Sequence, residues 1–101
     1  MNQIRVDRRS FSDPSFTPKQ GQYLAFIYAY TQFAGRPPAE ADLQRHFGVT
    51  PPSVHQMVIT LEQNGLIRRQ PGKARSIELL VDPQALPLLQ GRTVKSSVRR
   101  Y

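Results

Sequence analysis

Two stretches with helical apolar spacing meet across a five-residue interruption, GVTPP at 48–52. Helices joined that closely must cross steeply, so the turn needs one left-handed residue and, beside it, an inward apolar anchor. Gly48 and Val49 supply the pair. Ahead of the turn, Leu43 and Phe47 lie four apart and face inward together, which leaves Gln44, Arg45 and His46 toward the outside or the flank. Behind it, Val54, Met57, Val58 and Leu61 keep the i, i+3, i+4, i+7 rhythm. That rhythm puts Gln56, Ile59 and Gln63 on the opposite side, with His55 and Thr60 flanking them. Leu43, Phe47, Val49, Val54 and Met57 then share one small core. The paired prolines have two readings. If Thr50 caps and both sit in the first turn, they remove two N–H groups that would otherwise hold a phosphate, and the cap turns to the Ser53 N–H. If Pro52 pushes Pro51 into an extended conformation, the helix begins one residue later. In both cases the start is stiff and poor in donors.

The remaining punctuation completes the fold. Thr17 and Pro18 mark a helix start, and Gly35, followed by Pro37 and Pro38, marks its end. Tyr23, Ile27, Tyr30 and Ala34 form its inner stripe, widened by Leu24, Phe26 and Phe33. A short second helix begins after Pro38, with Glu40 and Asp42 at its positive end, and closes at Gly48; the third runs from Pro51 or Pro52 to Gly65. The period then changes to two. LIRRQ and RSIELLV read as short strands around the turn PGKA, with Ile67, Ile77 and Leu79 inward. This order predicts an α+β winged helix-turn-helix, a three-helix bundle with a two-stranded β-hairpin wing. Residues 16–82 form the domain, between a basic arm at 1–15 and a basic tail at 83–101, where Pro87 limits any helical turn around 86–89.

Charge indicates what such a domain meets. Fourteen Lys and Arg against seven Asp and Glu leave +7 and a pI near 10.6, the sign for a phosphate-rich partner or an anionic membrane surface. Membrane insertion is excluded, since no apolar run approaches the roughly 18 residues a span needs and MNQIRVDRRS has no apolar stretch for a signal peptide. The absence of cysteine rules out disulfides and thiolate metal sites and fits a cytoplasmic location. With 101 residues, the chain is one small domain whose core is too modest for a buried cofactor or a two-domain catalytic cleft. Asp7, Asp13, Glu40, Asp42, Glu62, Glu78 and Asp82 form no acid/base pair, His46 and His55 have no third ligand marked by spacing, and there is no Gly-rich phosphate loop. The expectation is a protein that is not an enzyme and takes no cofactor, metal or small-molecule ligand.

FTPKQGQYLAFIYAYTQFAGRPPAEADLQRHFGV, continued by SVHQMVITLEQNGLIRRQ and RSIELL, resembles the N-terminal DNA-binding domain of the LexA repressor family over residues 16–80. Its more specific pieces are the aromatic-Thr-x-Lys-Gln opening, the GRPP link and LEQNGLIRR running into the wing. The resemblance implies a third helix in the DNA major groove, a wing on the backbone and a repressor's role. It assigns base reading to Thr50, Pro52, Ser53, His55 and Gln56. Gln44 stands where helix-turn-helix proteins usually place a small residue, and the turn is one residue shorter than in many LexA proteins. The family's self-cleaving serine peptidase domain has no counterpart in these residues, so induction by self-cleavage is not implied.

The chemistry of these positions suits that role. Gln56 is equipped for bidentate pairing with adenine, while Ser53 and neutral His55 both donate and accept; the plain alternative is a solvated polar face. Ile59 fits a thymine methyl, a partner contact or simple exposure equally well. Arg68, Arg69, Lys73 and Arg75 on the hairpin, Arg45 on the second helix and Lys19 on the first are expected at the DNA backbone. Strand alternation prevents the hairpin cations from all pointing one way, yet Lys73 beside Gly72 reaches phosphates or a minor groove. A different class of function, a protein-interaction or RNA-binding module, rests on the aromatic first helix. Tyr23, Phe26, Tyr28, Tyr30 and Phe33 are five of the nine aromatics. Tyr28 lies off the inner stripe, covered either by Phe11 or Phe16 or by a second copy in a homodimer. The expected function is sequence-specific binding of double-stranded DNA by a transcription regulator.

Overall fold

The structure, a computed structural model, describes residues 15–90. Phe11, most of the expected N-terminal arm and the tail beyond Gln90 lie outside the described residues. Helix α1 spans Pro18–Ala34, α2 Glu40–Phe47 and α3 Pro51–Gln63; strands β1, Ile67–Arg68, and β2, Glu78–Leu79, follow, and then a 3-10 turn at Pro83–Ala85. The sheet is antiparallel, with Ile67 opposite Leu79 and Arg68 opposite Glu78. This is the winged helix-turn-helix that the sequence predicts. No helix among the described residues is long and apolar enough to cross a membrane.

Each helix end has a local cause. A capping box opens α1: Thr17 Oγ1 accepts the Gln20 N–H at 3.1 Å, and Gln20 Oε1 accepts the Thr17 N–H at 3.0 Å. Gly35, at φ 76°, closes it. Ala39 has no side-chain acceptor to cap α2, so Asp42 reaches back and takes the Ala39 N–H at 2.9 Å. Gly48, at φ 66°, turns the chain out of α2, and Thr50 Oγ1 caps α3 through the Ser53 N–H at 3.3 Å. Both Pro51 and Pro52 therefore lie in the first turn of α3. A Schellman closure ends that helix, with Leu66 N–H on Leu61 O and Gly65 N–H on Glu62 O, both at 3.0 Å.

The core lies where the three helices and the sheet meet, and Leu24, Leu43, Val54, Val58 and Leu61 in it are fully enclosed. Tyr23 stacks flat on Phe47 with ring centroids 4.0 Å apart, joining α1 to α2. Phe47, Val49 and Met57 pack against this core from its edge. The expected stripe on α1 needs correction. Leu24 is central, Tyr30 is half-buried, Ala34 is exposed and Phe33 is 93% exposed. Residues 32–36 are all exposed because the last turn of α1 outruns the elements packed against it. His46, expected outward or on the flank, instead stacks on Phe26 at 4.5 Å and meets the Phe47 ring edge at 4.6 Å.

The wing also differs from expectation. Its ladder is only two residue pairs long. Pro71 and Gly72, the latter at φ 76°, form a turn closed by Lys73 N–H on Gln70 O at 3.1 Å. Ser76 Oγ then accepts the Gln70 N–H at 3.0 Å and donates to the Lys73 carbonyl at 2.9 Å, so side-chain bonds replace strand pairing across the loop. Beyond Asp82 the chain does not leave the body. Leu86 packs against the core, and Gln22 holds Leu88 O at 2.9 Å and the Gln90 N–H at 2.7 Å. A methyl group on Gly21 would come within 3.0 Å of Phe16 and 3.1 Å of Pro87, so that glycine admits the returning chain. The packed body thus passes the boundary that composition suggested, and its helical turn falls at Pro83–Ala85 rather than at 86–89. Phe16 packs over Gly21, and Tyr28 is still 37% exposed.

Leu43 of α2 is fully buried in the common core. Leu43→Ala is expected to lower unfolding free energy by about 2–5 kcal/mol in a urea titration, because the surrounding helices cannot collapse fully into the space left.

Candidate nucleic-acid interface

The outer face of α3 carries Thr50, Pro52, Ser53, His55 and Gln56, all exposed. At its first turn, Pro51 and Pro52 lack N–H groups, Ser53 N–H goes to Thr50 Oγ1, and Val54 N–H goes to Thr50 O at 3.1 Å. No amide there is left for a phosphate. The Thr50 hydroxyl also donates to Ser53 Oγ at 3.0 Å, which fixes that side chain. Gln56 Nε2 makes only a long 3.5 Å contact with Thr60 Oγ1 and keeps its amide available. His55 Nδ1 lies 3.3 Å from both Glu40 carboxylate oxygens, a contact between α3 and the start of α2.

The cations predicted at the DNA backbone fall into two groups. Lys19 and Lys73 are exposed and form no ion pair among the described residues. Arg68 makes a cross-strand pair with Glu78, from Nη2 at 2.8 Å and Nε at 3.0 Å, but both side chains are more than half exposed. Such a pair is worth about 0–1 kcal/mol and yields readily to a phosphate. Arg45 pairs with Asp42 yet remains 72% exposed. The other two arginines are turned inward. Arg69 Nε donates to Glu62 Oε1 at 3.0 Å, and its Nη1 lies 3.6 Å from Glu40, so it joins the base of the wing to α2 and α3. Arg75 Nη1 donates to Asp42 Oδ2 at 3.0 Å, to Tyr30 Oη at 3.2 Å and to the Pro37 carbonyl at 3.5 Å.

Asp42 is the center of that inner group and is only 8% exposed. Burial pushes its carboxyl pKa up, but the Ala39 N–H and the Arg75 and Arg45 charges outweigh burial and hold it below the ordinary value. The Arg75 guanidinium is held even more firmly in its charged form, chiefly by its bond to Tyr30. Helical spacing alone puts Asp42 at a helix dipole and Tyr30 on an apolar stripe. The legible signal was an acid at the third helical position behind a residue with no capping group.

An exposed polar face on the third helix of a three-helix bundle, followed by a two-stranded wing, defines a winged helix-turn-helix of the nucleic-acid-binding class. Residues 13–76 match the family of the LexA DNA binding domain, and the chain belongs to that family. It is 38% identical over 72 residues to the LexA repressor of Thermosipho africanus, covering 71% of this chain and 36% of that protein. It is 44% identical over 64 residues to the LexA repressor of Thermosipho melanesiensis, covering 63% and 32% respectively. With the LexA repressor of Oleidesulfovibrio alaskensis the identity is 32% over 72 residues, 71% of this chain and 35% of the relative. The chain therefore spans about a third of the length of these relatives.

The depressed Asp42 pKa has a definite sign. Its stabilising contribution is complete above the ordinary carboxyl value of 3.8 and is lost as pH falls through the lower folded-state value. Asp42→Asn should therefore be less stable than the parent at neutral pH, by about 1.5–3 kcal/mol for the lost charged hydrogen bonds. Urea titrations between about pH 5 and pH 2 should show the difference narrowing as the parent's carboxylate is protonated.

Proposed function

We propose that this chain binds double-stranded DNA sequence-specifically and serves as a transcriptional repressor, with α3 reading the major groove and the wing on the backbone. The observation that carries this reading is the start of α3, where a Thr50 cap and two prolines present Ser53, His55 and Gln56 to solvent in a fixed geometry. A merely solvated helix face has no need of such stiffness. Membership of the family supports the same reading, as do the net charge of +7 and the wing.

Phosphate contact falls to side chains in this reading, because the start of α3 offers no free amide. Lys73, Lys19, Arg68 and Arg45 supply it, a reading supported by their exposure. Ser53, His55 and Gln56 carry the base contacts, and Thr50 and Pro52 hold them in place. Two copies on a two-fold symmetric site are the assembly that we infer for a small module of this kind.

Selection of bound duplexes from a random pool at two salt concentrations should enrich one motif at both. Gln56→Ala should change preference at one or two base pairs, with a discrimination loss of about 1–3 kcal/mol. Lys73→Ala should weaken all duplexes alike and reduce the salt slope of log K by about 0.9. Enrichment of no motif, with affinity collapsing as salt rises, would reduce the activity to non-specific attraction and remove the regulatory role.

A further inference from the structure

Arg75 is the one non-glycine residue with positive φ among the described residues, at 56°, and it lies two positions from Lys73. A left-handed backbone under a long side chain is unfavourable and persists only where the surroundings impose it. The imposing contacts come from three other parts of the chain. Its guanidinium meets Tyr30 of α1, the Pro37 carbonyl of the link and Asp42 of α2. The same Asp42 carboxylate closes the start of α2 on the Ala39 N–H.

The wing needs such an anchor. Two residue pairs of ladder leave nine residues, 69–77, without strand pairing, and so short a hairpin directs its own tip weakly. A cleft of about 230 Å³ separates this loop from the α1–α2 link, with Pro38, Ala39 and Glu40 on one side and Lys73 and Ala74 on the other. Arg75 crosses the gap. The arginine that composition groups with the phosphate contacts thus has its Nη1 committed to the protein's own interior.

We propose that Arg75 is a positioning residue for DNA binding: docked on Asp42, it sets the place of the wing over α3 and so the distance from Lys73 to the base-reading face. The proposal rests on the DNA-binding reading above. Arg75 acts through Lys73 and does not itself neutralise a phosphate.

A double-mutant cycle on a selected duplex, run over several salt concentrations, separates the two roles. Arg75→Ala should weaken binding about fivefold, comparably to Lys73→Ala, and the double variant should fall within about twofold of Lys73→Ala alone. Arg75→Lys, which keeps the charge but loses the fork, should recover little. In the free protein, backbone ¹⁵N relaxation should show the Lys73 amide more mobile in Arg75→Ala, with a smaller change of the same sign in Tyr30→Phe. Losses that multiply in the double variant, or near-full recovery by Arg75→Lys, would make Arg75 an independent phosphate contact and overturn the proposal. Unchanged relaxation at Lys73 in both Arg75→Ala and Tyr30→Phe would overturn it as well. Should Arg75→Ala fail to fold, Tyr30→Phe carries the relaxation test alone. Should the parent select no duplex, the DNA reading fails, while relaxation of the free protein still decides whether Arg75 positions the wing.

Discussion

The Asp42 carboxylate holds together parts of the chain that sequence proximity does not. It accepts the Ala39 N–H, the Arg45 guanidinium of its own helix and the Arg75 guanidinium of the wing. A buried carboxylate is costly unless its lone pairs are met, and here opposite charge and a backbone donor meet them together. The arrangement fixes the start of α2, and through Arg75 it ties the wing to the helix-turn-helix. A hydrocarbon contact of equal area would have held the parts together without setting their direction, because dispersion and burial are not directional.

The second constraint sits at the other end of the helix-turn-helix. Gly48 turns the chain, Val49 packs against the core, and Thr50 with two prolines starts α3 without a spare amide. Many nucleic-acid-binding helices hold a phosphate at their positive end. This one offers no first-turn amide to an anion, while Lys73 and Lys19 are exposed and form no ion pair among the described residues.

The helices were readable because their signals are local. Thr17 with Gln20, Gly35, Gly48, and Thr50 with its prolines act within a few residues of themselves, and each element begins or ends where they stand. The strands were overestimated, since Ser76 bonds across the loop where alternation alone predicts pairing. Phe33 and Ala34 are exposed although they continue the apolar pattern, because a periodic stripe does not reveal where its partner elements stop. His46 shows the converse: its ring finds Phe26 on another helix, which its own spacing does not reveal. Among the expected site residues, those on α3 are exposed as a set, while the cations of the wing divide into free and committed members.

The amino-acid sequence by itself determined the order of elements, the tight turn between α2 and α3, and the amide-poor start of α3, since backbone dihedral limits and missing N–H groups act wherever the residue stands. Only the tertiary structure decided which basic residues remain available to a partner. Arg68, Arg69, Lys73 and Arg75 carry the same charge within eight residues, yet Lys73 forms no ion pair among the described residues, Arg68 is loosely paired, and Arg69 and Arg75 are spent on Glu62, Glu40 and Asp42. The physical reason is that a salt bridge depends on distance in space, and the acids that capture these arginines lie up to 33 residues away in the chain.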